Sequence, residues 1–361
     1  MIRDLTDPGV DGIIERYRRY WNNEEAEEGN RSLFQFNPAR PMGDTPDPHP
    51  LELPPLLDPF PFGEGIRRSY EEHGLLNDDL LRMVGTGITS EVLIGCRVAV
   101  RAGTHWAEPA FVDWKQFDDY RVEDNPWFQR LIENTKRALD GVDGERYPFS
   151  CMAFRGAVDM AEALMKGERL CAAIVDHPQQ LKDLLARITD ITIAAARAHS
   201  DLLPRFRGGQ FNSYGTWAPG STVTFTLDGG CLFSPAVYEE FFLPCDRRLC
   251  EAFERPFVHL HAASRQHFVA WTEIPNLGLQ CVIDQAWLPE GRNLPIGPQL
   301  PELLADFKQI RQTKSLMIYG YWNEEWLDLA TAELAAGGCA INGMVDDPQA
   351  IRQKYMQMPA A

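Results

Sequence analysis

The chain has 361 residues, 44% of them hydrophobic and 11% aromatic, with a formal net charge of -17. That length fits one large α/β domain, and the apolar content is ample for a big core. The negative charge speaks against nucleic acid or an anionic membrane as partner, because both need a basic face. No run of about 18 apolar residues occurs, and Met1 to Pro8 lacks a hydrophobic signal region, so a cytoplasmic protein is expected. Eight cysteines stand in apolar segments without a CxxC pair, which reads as reduced core thiols. Cys245 and Cys250 are too poorly spaced for a zinc pair.

Ile13, Ile14, Tyr17, Tyr20 and Trp21 recur at helical spacing, which predicts a helix over Asp11 to Glu28. Ser32 to Phe36 then reads as a strand. From Asn37 to Pro61 the chain is proline-rich and short of donors, which predicts a long loop packed over the body by Leu51, Leu53, Leu56, Leu57, Phe60 and Phe62. Short apolar strands follow at Leu81 to Gly85, Cys96 to Arg101, Phe149 to Phe154, Thr222 to Leu227, Phe257 to His261, Leu277 to Ile283, Leu316 to Tyr321 and Cys339 to Asn342. Between them lie helices at Pro178 to Leu203, Pro235 to Arg255, Leu300 to Gln312 and Trp326 to Ala335, with Ser234-Pro235 a good helix start. Alternating strand and helix means a parallel sheet with right-handed crossovers, and about eight inner strands favour a (β/α)8 TIM barrel. Residues 1–80 are expected to form a helical and proline-rich extension on a barrel of residues 81–361. No GxGxxG or GxxxxGK[ST] run follows a strand, so a nucleotide cofactor is unsupported.

His259 and His261 stand two apart at the end of an apolar strand and therefore share one face. At the C-terminal mouth of a barrel they form a metal half-site or an acid/base pair, unless one caps a loop and the other fills polar core space. Cys339, behind Gly337-Gly338, offers a sulfur; with the two imidazoles it makes three ligands and one open position, the pattern of catalytic zinc, unless it is a core thiol. Asp228 ends a strand before Gly229-Gly230 and either orients a ligand, exchanges protons, or binds the next turn's amides. Asp159 stands similarly and reads as a helix cap or a second catalytic carboxylate. Arg155, Asn212, Tyr214, Trp217 and Gln280 are the candidates for substrate contact, although Tyr214 and Trp217 could simply cover the barrel rim. His267 opens the next helix and reads as solvent-facing.

Phe154-Arg155-Gly156-Ala157, the helix after Asp176-His177-Pro178, Asp228 to Pro235, Phe242-Leu243-Pro244 and the final Gly-Cys strand resemble the uroporphyrinogen decarboxylase superfamily, which includes zinc-dependent corrinoid methyltransferases. The likeness is best from Phe149 onward; Arg18 to Glu24 also looks like the family's opening helix. It implies an α/β barrel with its site at the C-terminal strand ends. The true decarboxylases carry an arginine pair where this chain has Asn37-Pro38-Ala39-Arg40-Pro41, an aspartate at the position of Thr86, and a tyrosine near Leu164, so their activity is not expected here. The methyltransferase branch holds zinc with His-x-Cys and a distant Cys; His259-Leu260-His261 and Cys339 resemble that set, with a histidine replacing the first cysteine. A less studied branch has His-Leu-Asp-Gly in this place, and His267 and Ile274-Pro275-Asn276-Leu277 resemble it. The resemblance implies methyl transfer from a corrinoid on a partner protein to a zinc-activated thiol. The alternatives are a metal-free decarboxylase or lyase with His259 as acid/base, and a non-catalytic binding protein on the same fold. A homodimer is the commonest assembly for such barrels.

Overall fold

The computed structural model describes residues 2–24, 32–39, 48–101, 104–287, 293–334 and 338–356. Its main sheet has seven parallel strands: β1 (Leu33–Pro38), β2 (Ala153–Arg155), β3 (Thr222–Leu227), β4 (Arg255–His261), β5 (Gly278–Val282), β6 (Ser315–Tyr321) and β7 (Cys339–Val345). From β2 to β7 each strand lies beside the next in sequence, and β1 returns to pair with β7. Such single-direction winding is the order of a TIM-like barrel and not of a doubly wound sheet, where the order reverses. No ladder joins β1 to β2 among the described residues, so seven strands carry the ring expected of eight. β1 is expected in an extension, yet it is hydrogen-bonded into this sheet from Leu33 opposite Ala340 to Pro38 opposite Val345.

Two predicted inner strands lie elsewhere. Arg97–Arg101 pairs antiparallel with His49–Pro50 and Thr104–Glu108 in a separate three-stranded sheet. Val84–Gly85 joins Phe149–Ser150 and Gly209–Phe211 in a small second sheet, so the segment read as one strand over 149–154 is split between two sheets. The apolar residues of these short runs suit any half-buried pleat, which is why periodicity does not tell the two sheets apart.

The helices that cover the sheet mostly stand where spacing puts them, at Val10–Trp21, Pro178–Ser200, Leu300–Arg311 and Glu324–Glu333. The first ends early because Asn23 turns left-handed at φ 53°. The helix expected over 235–255 contains a wide π-turn at Tyr238–Phe242, just before Pro244. Proline has no N–H for the carbonyl four residues back, and widening the turn accommodates the missing bond. Helices at Pro59–His73 and Pro126–Gly141 are additional. Their starts are capped by Asp58 and Asn125, each followed by a proline at the first helical position.

The proline-rich segment is tied down by that second helix. Asn134 accepts from Leu57 N (2.8 Å) and donates to Pro55 O (3.0 Å), while Arg130 donates to Pro54 O. Prolines cannot supply donors of their own, so their carbonyls take them from a neighbour. Arg40 lies outside the described residues. No described helix is long and apolar enough to cross a membrane.

Candidate functional site

Accessibility along the parallel strands follows one rule. Gln35 and Asn37 on β1, Arg155 on β2, Thr226 on β3, His259 and His261 on β4, Tyr319 and Tyr321 on β6 and Met344 on β7 are partly accessible, while the residues between them are buried. These are alternate residues in the C-terminal halves of their strands, and the strand register places them on one face. Polar side chains therefore line an open mouth at the C-terminal end of the sheet, where parallel barrels hold their chemistry.

Within that mouth the two imidazoles are oriented by their Nδ1 atoms. His259 Nδ1 is 2.6 Å from Gln280 Oε1 and 2.7 Å from the Tyr214 hydroxyl. Gln280 Oε1 can only accept, and its amide nitrogen is aimed at Met317 Sδ (3.1 Å), so the proton of His259 sits on Nδ1. His261 Nδ1 is 2.6 Å from Asp284 Oδ1, which again only accepts. Both Nε2 atoms are left facing the same point. They are 3.2 Å apart, and Asp228 Oδ1 lies 3.5 Å from the Nε2 of His259 and 3.3 Å from that of His261.

Behind this triangle stands a charged scaffold. Arg155 donates to Asp228 Oδ2, lies 3.6 Å from Asp159 Oδ2, and gives its Nε proton to Glu91 Oε1 at 3.2 Å. Asp159 accepts from the backbone N–H groups of Asp228 (3.0 Å) and Gly229 (2.8 Å), fixing the turn that presents Asp228. Asp284 Oδ2 likewise accepts from Ala263 N at 2.7 Å.

Burial by itself would raise the Asp228 pKa. The His261 hydrogen bond and the Arg155 charge overcome that and hold the carboxyl well below the usual range. Asp159 is pushed upward by full burial and by the charge of Asp228. Burial lowers the pKa of His259, with Asp228 opposing. For His261 burial also works against the charged form, but hydrogen bonds to Asp228 and Asp284 outweigh it and push the ring up to about 9.

The predicted residues sort into three groups. His259, His261, Asp228, Arg155, Gln280 and Tyr214 come together, and Tyr214 lies parallel to the His259 ring at a centroid distance of 5.8 Å. Asp159 supports the site from below, and Asn212 supports Tyr214 through its Oδ1, which accepts from Tyr214 N at 3.0 Å. Cys339 and Trp217 stand apart. Cys339 is fully buried at the start of β7, and Ala340, not Cys339, is in register with Met317, Gln280 and His259. Strand alternation thus turns the thiol to the opposite face, and the expected His259, His261, Cys339 set is not assembled. Trp217 is buried, with its Nε1 donating to Phe206 O (2.8 Å). His267, expected at the surface, is buried and donates to Gly230 O at 2.9 Å.

Among the described residues the group able to hold a metal is Asp228, His259 and His261. The donor chemistry fits a cation. Three electron-pair donors face one point with at most one proton between them, and each imidazole has its far nitrogen anchored, as metal-ligating histidines do. Ligands about 2.1 Å from a tetrahedral ion stand roughly 3.4 Å apart, close to the observed 3.2, 3.3 and 3.5 Å.

No protein-family model matches the chain, and no curated protein matches it. Among solved structures, a methyltransferase from Methanosarcina mazei is similar over 92% of this chain and 92% of its own, at 12% identity and a TM-score of 0.49. That likeness is too slight to bear on the chemistry.

Proposed function

We propose that this chain is a metal-dependent enzyme in which Asp228, His259 and His261 hold one zinc ion, and that its reaction is methyl transfer to a thiol. The observation that carries the reading is the convergence of two unprotonated Nε2 atoms and Asp228 Oδ1 on a single point. Two imidazoles and one carboxylate with an open fourth position are a known catalytic zinc set. A bound zinc supplies Lewis acidity there, lowering the pKa of a coordinated thiol so that it reacts as thiolate. The resemblance of the sequence from Phe149 onward supplies the donor class, a corrinoid on a partner protein.

The chain's own groups hold this arrangement. Gln280 and Asp284 keep the Nδ1 protons in place, so that both lone pairs stay on the Nε2 side. Arg155 takes one oxygen of Asp228 and leaves the other for the ion. The thiolate sulfur takes the methyl group as its bond to the donor breaks, the donor retaining the bonding pair.

A second reading is favoured by the His261 ring, which sits between two carboxylates and is pushed up to about 9. On that reading the proton replaces the ion, and His261 serves a metal-free lyase as general acid.

Elemental analysis of protein purified without chelator or affinity nickel separates the two. The expected result is about one zinc per chain, lost in Asp228→Ala and in His261→Ala. Iron at that stoichiometry would sink the zinc assignment, because two histidines and a carboxylate also hold iron(II). Metal-free protein that fails to take up zinc on dialysis would leave the acid/base reading.

A further inference from the structure

We propose, resting on the metal site above, that the substrate drawn to this mouth is a neutral or cationic molecule, and that carboxylate- or sulfonate-bearing substrates are selected against. The thiol acceptor then carries an amine or hydroxyl group in place of an acid. The argument is one of charge placement. Four carboxylates, those of Glu91, Asp159, Asp228 and Asp284, surround the two imidazoles. Against them stands Arg155, whose guanidinium is already shared by Glu91, Asp159 and Asp228.

The face itself offers nothing else for an anion. Among the described residues of the seven strands, the accessible positions at the C-terminal mouth are Gln, Asn, Thr, His, Val, Tyr and Met apart from Arg155. Arg255 opens β4 and Lys314 directly precedes β6, both at the far end of the sheet. Two other arginines that follow elements of the ring are committed elsewhere: Arg352 to Asp78 and Phe36 O, and Arg265 to Asp306.

Binding an anion here would leave its charge facing carboxylates without a partner, a cost that grows as the mouth closes to water. An ammonium group meets the opposite situation. The carboxylates attract it, and the phenol rings of Tyr214 and Tyr319 give it aromatic faces to lie against. Discrimination of this kind works through repulsion of the wrong partner as much as attraction of the right one.

Cobalt(II)-loaded protein makes the test optical, because thiolate coordination gives a charge-transfer band. Cysteamine, 2-mercaptoethanol and mercaptoacetate are titrated at 20 mM and at 1 M sodium chloride, with the native protein and with Glu91→Gln. The expected order is cysteamine tightest and mercaptoacetate weakest, by about tenfold or more at low salt. That ratio should shrink at 1 M, where charges are screened within about 3 Å, which thiol acidity alone would not cause. Mercaptoacetate binding as tightly as cysteamine at low salt, or a ratio indifferent to salt, overturns the proposal. Failure of cobalt to bind at all is seen before any thiol is added and overturns the metal reading instead, taking this inference with it.

Discussion

His261 Nδ1 lies 2.6 Å from Asp284 Oδ1, and that contact decides which nitrogen of the ring faces Asp228. Asp284 touches neither of the other two donors, yet it fixes the tautomer on which their convergence depends. Replacing it by alanine frees the ring to rotate and to place its proton on either nitrogen. Zinc affinity measured by competition with a chromophoric chelator should fall about 10- to 100-fold in Asp284→Ala. Unchanged affinity would mean that the ring is held by packing alone.

Cys339 gives the complementary prediction. Its thiol is turned away from the imidazoles and packed in the core, where burial pushes it up to about 11. Cys339→Ala should keep its full zinc content while losing about 1–2 kcal/mol of stability in denaturant unfolding from the deleted buried atom. Loss of the metal with stability intact would put the thiol back among the ligands.

His199 sets a pH dependence far from the metal. It is fully buried, with Nδ1 3.4 Å from Cys151 Sγ and Nε2 3.5 Å from Thr86 Oγ, and burial pushes it down to about 4. As pH falls below about 6.5, the unfolded chain takes up a proton that the folded one refuses. Its contribution to stability is therefore present above that pH and is lost progressively until about pH 4, to a total of about 3 kcal/mol. His199→Gln should flatten this part of the curve; urea midpoints at pH 7.5, 6, 5 and 4.5 check it, and equal slopes in both proteins would refute it.

Gly343 lies opposite Gly320 in the β6–β7 ladder with φ 148°. A Cβ added there would come within 1.8 Å of Gly320 O. That oxygen is backbone, so nothing flexible can yield. Gly343→Ala should destabilise by about 3 kcal/mol or more and give mostly insoluble protein, whereas Gly12→Ala, with nothing within 4 Å, should express normally.

The strands that build the site are legible in the sequence because their apolar runs end in polar residues at fixed parity, as in Phe257 to His261. Asp228 and Gln280 follow from the same pattern. Asp284 carries the signal that pointed to Asp228, a carboxylate just past an inner strand, but Ile283 and Gln285 around it give no cue that it reaches an imidazole one strand away. Cys339 misleads because its placement depends on register: one residue further along, it would face inward. The helix at Pro59–His73 is obscured by its own composition, since Pro59, Pro61, Gly63 and Gly65 read as loop, and tertiary packing overrides that preference.

The pairing of Leu33 with Ala340 has a consequence for how the protein is made. As the chain leaves the ribosome, its first sheet strand emerges early, while the partner for one of its edges comes only with the final stretch. For most of synthesis that edge is unfilled, a template for pairing with another chain. Release of a chain stopped short of Cys339 would strand β1 in that state for good, so premature termination near the end should yield aggregates and not a shortened enzyme.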